Sequence, residues 1–387
     1  MGQKYILALH QVARTAVIGA KAASLRFLMQ RGFPIPQTYV CPWEAMARAH
    51  APDPTARAAL RAELAATLDP SRAYAVRSSA NVEDSNSHSF AGQFASLLNL
   101  RGVDAVLQAM DQVWASAQSS TVRGYRVEGR ASDIRMAVIV QAMVPPAVSG
   151  VAFSKNPLTG MDEVIVEAVP GLGTALMQEG ITPARWVNKW NAWTDTPTET
   201  AIDQAIIAQV VAGTRQIAKA YGAPVDLEWV YDGSTLYWVQ LREITSLRGV
   251  NVYSSRFIKE MLPGVIRPLV WSVNVPIFCG LWAGLFGRLV GPGRISADKL
   301  IKPFYYRAYV NMTVVGDTLE LLGLPREGLE LMLGIVVEGA EKPRFKPSAT
   351  TMLLIPRMLR FAVQQMRYGH RVGETISALQ ARFQAST

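Results

Sequence analysis

Apolar positions at helical spacing open the chain. In residues 20–31, AKAASLRFLMQR, Ala22, Leu25, Leu28 and Met29 recur on one side of a helix, and Gly32 ends it. A second amphipathic helix, rich in Ala and Leu, is expected over 56–68. Between them FPIPQTYVC reads as extended chain entering a strand, because its two prolines forbid helix. From 136 the period changes. MAVIVQAMV is a continuous apolar run of the kind a buried strand carries. VSGVAFSKN and EVIVEAV follow as shorter strands with NPLTG as the turn between them. A helix over roughly 199–221 precedes the pair DLEWVY and TLYWVQLREI around Asp232-Gly233, a hairpin signal. Beyond Arg248 proline-broken apolar helices dominate without a strand signature of comparable quality, which puts a domain boundary near 246–252.

Composition adds limits to this outline. The 387 residues suffice for two domains, and with 50% apolar and 18% charged positions wholesale disorder is excluded. The net charge of +9 is concentrated late: from Lys342 onward eight Lys/Arg face one acid, Glu374. An exposed basic helix is the commoner reason for such a tail, and no nucleic-acid partner is expected. Cys41 and Cys279 have no metal-ligand spacing and fit buried thiols in a reducing cytosol. The start MGQKYILALHQV has no long apolar core or cleavage site, and Ile6 breaks the myristoylation pattern, so a cytoplasmic protein is expected.

One stretch tests that expectation. Residues 268–286, PLVWSVNVPIFCGLWAGLF, carry no charge and just reach the length of a membrane span. Ser272, Asn274 and Pro276 interrupt it and Arg267 and Arg288 bracket it, so it reads as a buried helical hairpin rather than a span. A membrane partner is accordingly not expected.

The 225–245 hairpin holds the densest candidate chemistry. Alternate side chains of a strand share a face, which groups Asp226 with Glu228, and Trp238 with Gln240 and Arg242. Leu227, Val239 and Leu241 are left to enter a core. A two-residue Asp-Gly turn would set Glu228 opposite Tyr237, on the wrong side. A three-residue loop, 232–234, sets Asp226 opposite Gln240 and Glu228 opposite Trp238, and this longer loop is the expectation. It gathers carboxylate and amide oxygens suited to Mg²⁺ beside a guanidinium suited to phosphate. Taken alone, the same residues also suit a surface ion pair.

Two further cations are candidates for phosphate. Lys21 follows Gly19-Ala20 at a helix start, where backbone N–H groups favour an anion, although no Walker A spacing is present. Arg77 lies where the core strand AYAV runs into the small, polar stretch RSSANVEDSNSHSFAGQ. Small residues let backbone approach a ligand closely, and Arg beside them suits an anion.

Five segments in order, IGAKAASLRFLMQRGFPIP, YAVRSSANVEDSNSHSFAGQ, VIVQAMVPPAVSGVAFSKNPLTG, VPGLGTALMQEGITPARW and DLEWVYDGSTLYWVQLREIT, make a longer pattern. Over roughly 1–247 they resemble the nucleotide-binding region of the phosphoenolpyruvate synthase and pyruvate phosphate dikinase family, which rifampicin phosphotransferases share. The resemblance implies an α+β fold: an ATP-grasp domain of two lobes over 1–247, then a mostly helical segment, 248–387, an incomplete acceptor-binding or linker domain. Of that segment, residues 253 to about 335 are similar to the start of the acceptor-binding domain in the rifampicin-phosphotransferase-like branch. It implies ATP and Mg²⁺ as cofactors. Carried over residue by residue, Lys21 and Arg77 match phosphate-binding positions, and Arg242 matches the arginine of the Gln-x-Arg motif at the terminal phosphates. Gln141 and Met143 fall where adenine is met, Ser89, Ala91 and Gly92 in a loop covering the phosphates. Glu228 and Gln240 match the metal positions, with Asp226 beside them.

The pattern also has departures. The phosphohistidine segment and the pyruvate-binding barrel have no counterpart, and His10, His50, His88 and His370 all lie in other contexts. GLGT puts Thr174 where the family usually has glutamate, and Glu243 stands where a proline usually follows the motif arginine. The leading expectation is an ATP-binding phosphotransferase component that passes phosphate to a histidine on another chain. A nucleotide-binding module without turnover, or a truncated remnant, is the alternative. A membrane-surface protein built on the basic C-terminal helices is the third and weakest reading.

Overall fold

The computed structural model describes residues 4–12, 18–50, 54–81, 96–116, 135–171, 182–247, 249, 251–256, 258–291, 294–295, 297–326, 328, 339 and 347–385. Two compact units divide the chain. Met1–Pro157, Glu163–Lys189 and Trp193–Thr245 form the first; Leu158–Asp162, Trp190–Ala192 and Ser246–Thr387 form the second.

In the first unit, strands β1 (Leu7–Ala8), β2 (Thr38–Cys41), β3 (Ala73–Ala80), β4 (Ser96–Arg101) and β5 (Met136–Ala142) build one antiparallel sheet in the order β1-β2-β5-β3-β4. Its central strand β5 is the run MAVIVQA, buried at every position as a strand covered on both faces must be. Helices α1 (Gly19–Gln30), α2 (Trp43–Ala49), α3 (Pro54–Thr67) and α4 (Val103–Ser116) supply the cover. Tyr74, Val76, Val138 and Val140 pack with Met46, Leu64 and Met110 of α2, α3 and α4. On the opposite face Val40, Ala137 and Ile139 join Ala22, Leu25 and Leu28 of α1, the stripe expected from spacing.

Strands β6 (Val148–Phe153), β7 (Glu163–Pro170), β8 (Ala184–Lys189), β9 (Ala192–Asp195), β10 (Val225–Tyr231) and β11 (Leu236–Glu243) form the second sheet, ordered β11-β10-β6-β7-β8-β9. Helix α5 (Gln204–Tyr221) starts later than the sequence reading, because Asp203 caps it by accepting the Ala205 N–H at 2.8 Å. Gly222, at φ 82°, ends it. Ile207, Val210 and Ile217 of α5 pack with Leu227, Trp229 and Leu241 of the hairpin. That leaves the other face of β10 and β11 to its polar residues.

The hairpin register differs from the expected one. Trp229 pairs with Trp238, but Glu228 pairs with Gln240 and Asp226 with Arg242, so Val239 is an extra residue on β11, a β-bulge. Near the turn the pairing follows a tight Gly233-Ser234 loop braced by Asp232, whose carboxylate accepts the Ser234 and Thr235 N–H groups at 2.8 and 2.7 Å. Without the bulge that loop would put Glu228 on the wrong side. The bulge restores the alignment and flips Trp238, expected on the polar face, into the core under Gly213 of α5. Val239, expected in the core, is only half-buried for the same reason.

The second unit contradicts two expectations. Residues 268–286 are not a buried hairpin: α6 (Pro268–Val290) is one continuous helix of 23 residues with Pro276 inside it, and much of its apolar surface is exposed. It is long and apolar enough by composition to cross a bilayer. The unit also contains a three-stranded sheet, β12 (Tyr253–Ser254), β14 (Arg307–Asn311) and β13 (Ile301–Phe304) in that order, where proline-broken helices without a comparable strand signature are expected. Its hairpin turns at Tyr305-Tyr306, both in the left-handed region at φ 50° and 60°, with neither Gly nor Asn to announce it. Val275 and Cys279 of α6 pack with Ile301 and Val310 of this sheet and with Val315 and Leu319 of α7 (Met312–Leu321). The long helix α8 (Ala349–Ala385) meets the C-terminal end of α6 through Leu354 and Met358.

Candidate functional site

Arg77 leaves β3 of the first sheet and ends on the second. Its Nη1 donates to the Val239 carbonyl at 3.0 Å, and its Nη2 to Glu228 Oε2 at 3.3 Å and to Gln240 Oε1. The bulge makes this geometry possible, because the extra residue Val239 has no ladder partner opposite it and its carbonyl is free to accept a guanidinium. The Arg77 side chain is 14% exposed and that of Glu228 30%, so the pair sits at the edge of the interior rather than on open surface.

Glu228 and Gln240 are thus directly opposite on adjacent strands, and both turn an oxygen onto one cation. Asp226 lies two residues along the same face, across from Arg242. Burial pushes the Asp226 carboxyl up to about 6; Arg242 opposes the rise and the Glu228 charge adds to it. The face therefore carries two acids, one amide oxygen and one arginine, as expected, in a register that was not.

Lys21 sits in the first turn of α1 and donates to Ser78 Oγ at 3.2 Å. The start of α1 is held against β3: Ser79 Oγ accepts the Ala22 N–H at 3.0 Å, taking one of the otherwise unpartnered amides of a helix that has no side-chain N-cap. Gly19, at φ 75°, makes the approach possible, since a Cβ there would be driven into the Ser79 carbonyl. Lys21 and Arg77 are thereby both referred to β3, at Ser78 and at Arg77 itself. Sequence reasoning passed over Ser78 and Ser79, although SS directly after the arginine was visible.

Gln141 is the penultimate residue of β5. Its side chain is buried in the first sheet and its Nε2 donates to Thr38 Oγ1 at 3.1 Å. Met143 follows in the link from β5 to β6, half-buried, with its N–H donated to the Ala73 carbonyl at 2.8 Å. Ser89, Ala91 and Gly92, like His88 and Thr174, lie outside the described residues. Of the described histidines, His50 is spoken for: it lies 3.1 Å from Asp111 and stacks on Trp114, in the cover of the first sheet's outer face.

The donor set fits a hard cation. Glu228, Gln240 and Asp226 offer oxygen only, and two of these side chains already converge on a positive group. Among the described residues no cluster of three or more His, Cys, Asp or Glu is arranged to hold a metal ion. A Mg²⁺ ion here would depend on water and phosphate oxygens for its remaining positions, which is its usual habit.

Residues 54–194 match the family model of the pyruvate phosphate dikinase AMP/ATP-binding domain. A probable phosphoenolpyruvate synthase of Archaeoglobus fulgidus is 32% identical over 221 residues, covering 50% of this chain and 29% of that protein. The rifampicin phosphotransferase of Bacillus subtilis is 35% identical over 235 residues, covering 51% of this chain and 27% of that protein. The matched part of the chain thus spans under a third of the length of these relatives. Among solved structures, the D-alanine-D-alanine ligase from Helicobacter pylori is 9% identical with a TM-score of 0.30, covering 58% of this chain and 51% of that one, too loose a likeness to bear on the site.

Proposed function

We propose that this chain, which carries an AMP/ATP-binding domain of the pyruvate phosphate dikinase type, is the nucleotide half of a phosphotransferase of ATP-grasp type, and that it passes phosphate from ATP to a histidine supplied by another chain. The observation that carries the reading is the convergence of Arg77 from one sheet on Glu228 and Gln240 from the other. Phosphoryl transfer asks a protein mainly to position groups and to offset charge, and both sheets carry a cation here, Arg77 on the first and Arg242 on the second. When bound, Mg²⁺ would neutralise phosphate charge, with Glu228 and Gln240 as its protein ligands and Asp226 beside them.

Each residue then has a task. A polyphosphate entering between the sheets gives the Arg77 guanidinium oxygens to bind in place of Glu228 and Gln240, freeing those two for the cation. Arg242 grips a terminal phosphate oxygen in bidentate fashion from the same strand face as Gln240. Lys21 adds a third positive charge at the start of α1, where backbone amides favour an anion. The adenine subsite would draw on the 141–143 link, with Gln141 acting through its backbone because its side chain is spent on Thr38. Ser89, Ala91 and Gly92 would cover the phosphates. A second reading, nucleotide binding without turnover, is favoured by Thr174, which removes a carboxylate usual in the family.

Calorimetric titration with ATP, with and without Mg²⁺, tests the binding step. Metal-dependent binding that is lost in Glu228→Ala and Arg242→Ala supports the site; binding that both variants keep refutes it. Incubation with β-labelled ATP and a phosphohistidine domain taken from a relative then separates the two readings. Label on the histidine domain supports transfer, and tight binding without label favours the module.

A further inference from the structure

The second unit exposes apolar side chains in three joined places. Along α6, Leu269, Val273, Ile277, Leu281 and Leu285 recur every four residues on one exposed side, while Val275 and Cys279 hold the other side to the core. At the C-terminal end of α6, α8 packs through Leu354 and Met358 and exposes Leu353, Leu359, Val363, Met366 and Tyr368. At the N-terminal start of α6, the β13–β14 turn is tied on, because the Ile266 N–H donates to the Tyr306 carbonyl at 2.7 Å. That turn presents Tyr305, 92% exposed, and Tyr306, 70% exposed.

Charge says what covers these surfaces. Residues 261–297 contain Arg267, Arg288 and Arg294 and no acid, and residues 342–387 contain eight Lys/Arg and only Glu374. Together the two stretches hold more positive charge than the net +9 of the whole chain, so the rest is close to neutral. Arg357, Arg360 and Arg367 are exposed among the apolar positions of α8. A second copy of the chain would set these arginines against their own kind, which works against self-association. Large apolar side chains interleaved with arginines and nearly free of acids are the composition of a surface that lies in the headgroup region of an anionic bilayer.

The turn adds an independent sign. A two-residue hairpin loop with both positions at positive φ is served best by Asn-Gly, and bulky side chains there are strained. Tyr305 and Tyr306 hold that conformation at φ 50° and 60° while exposed, a cost without return in the packing of the unit. Tyrosine is the side chain enriched where an apolar body meets a wet, polar interface. We propose that the second unit docks on an anionic membrane surface, with the Tyr305-Tyr306 turn and the exposed stripes of α6 and α8 entering the headgroup layer and the arginines binding lipid phosphate. The packed face of α6, held by Val275 and Cys279, makes it a helix lying at the surface rather than a span.

Flotation of the full chain with vesicles of phosphatidylcholine, alone or mixed with phosphatidylserine, tests this. The expected result is recovery with the mixed vesicles only, falling as salt rises. Arg360→Glu with Arg367→Glu should lower the bound fraction more than about tenfold. Tyr305→Asn with Tyr306→Gly should also weaken it while improving the turn, so a folding defect cannot imitate the effect. Recovery that ignores lipid charge, or is nil with both vesicle types, overturns the proposal. So does a lipid-free dimer in light scattering that the arginine variants abolish, which would make a second copy the occupant.

Discussion

Replacing Arg77 by methionine removes one cation and leaves three acceptors to fend for themselves. The Val239 carbonyl loses a bond of 3.0 Å and Glu228 one of 3.3 Å, and the Gln240 oxygen loses its partner too. Hydrogen bonds to a charged group contribute about 1.5–3 kcal/mol each when buried. Glu228, with 30% of its side chain exposed, is re-solvated, so its share drops to about 1 kcal/mol. Gln240 is buried, and its stranded oxygen costs about 1–3 kcal/mol. Arg77→Met should therefore destabilise the first unit by about 3.5–7 kcal/mol, and Arg77→Lys by roughly half of that, since an ammonium reaches fewer of the three oxygens. Urea unfolding in EDTA, followed through the buried Trp186, Trp229 and Trp238, measures both. A double-mutant cycle with Gln240→Leu should return a coupling of about 1–2 kcal/mol. The reasoning fails if the two Arg77 variants are indistinguishable and within about 0.5 kcal/mol of the parent. Under the proposed function, saturating Mg-ATP should also raise the parent's urea midpoint and leave that of Arg77→Met in place.

In the metal-free protein the Asp226 carboxyl titrates near 6 against an ordinary 3.8, so between those values the folded state holds a proton that the unfolded state has lost. Stability from this group is full below about pH 4 and is lost as pH rises through 6. Asp226→Asn should flatten that slope and add up to about 3 kcal/mol at neutral pH, read from urea midpoints across the range. Gly19→Ala combines a left-handed residue with a collision at the Ser79 carbonyl, and should cost about 3 kcal/mol or more in the same assay, with Lys21 displaced from Ser78 in its NMR or crystallographic position. Burial raises the Cys41 thiol well above its usual range and raises Cys279 too. Both should resist a disulfide reagent at pH 8 in the native protein and react once it is unfolded.

What the sequence made legible was local. Helix α1 and strand β5 follow from spacing and apolar runs, and the polar face of the 225–245 hairpin follows from period two. The bulge at Val239 does not, because a register depends on which backbone groups pair across strands, and residue types leave that open. The Arg77 contacts with Glu228 and Gln240 link positions 151 and 163 residues apart, beyond any local pattern. The Tyr305-Tyr306 hairpin escaped because the turn uses residues that ordinarily avoid its backbone conformation. The exposure of α6 escaped for a different reason: an apolar run reports hydrophobicity and is silent on what, if anything, lies against it.

The order in which the chain is made bears on the site. The strands of the first sheet all end by Ala142 and those of the second begin at Val148, so each ladder is drawn from one contiguous stretch. A ribosome therefore delivers the whole first sheet, Arg77 included, before any strand of the second exists. At roughly 5–20 residues per second Gln240 follows Arg77 by on the order of ten seconds or more. During that interval the arginine has no Val239, Glu228 or Gln240 to meet, and a nascent chain stopped before β11 would own a finished first sheet and no clasp. The clasp of Arg77 on Val239, Glu228 and Gln240 is thus completed only once β11 has been made, and ribosome-bound chains stopped before β11 should lack it.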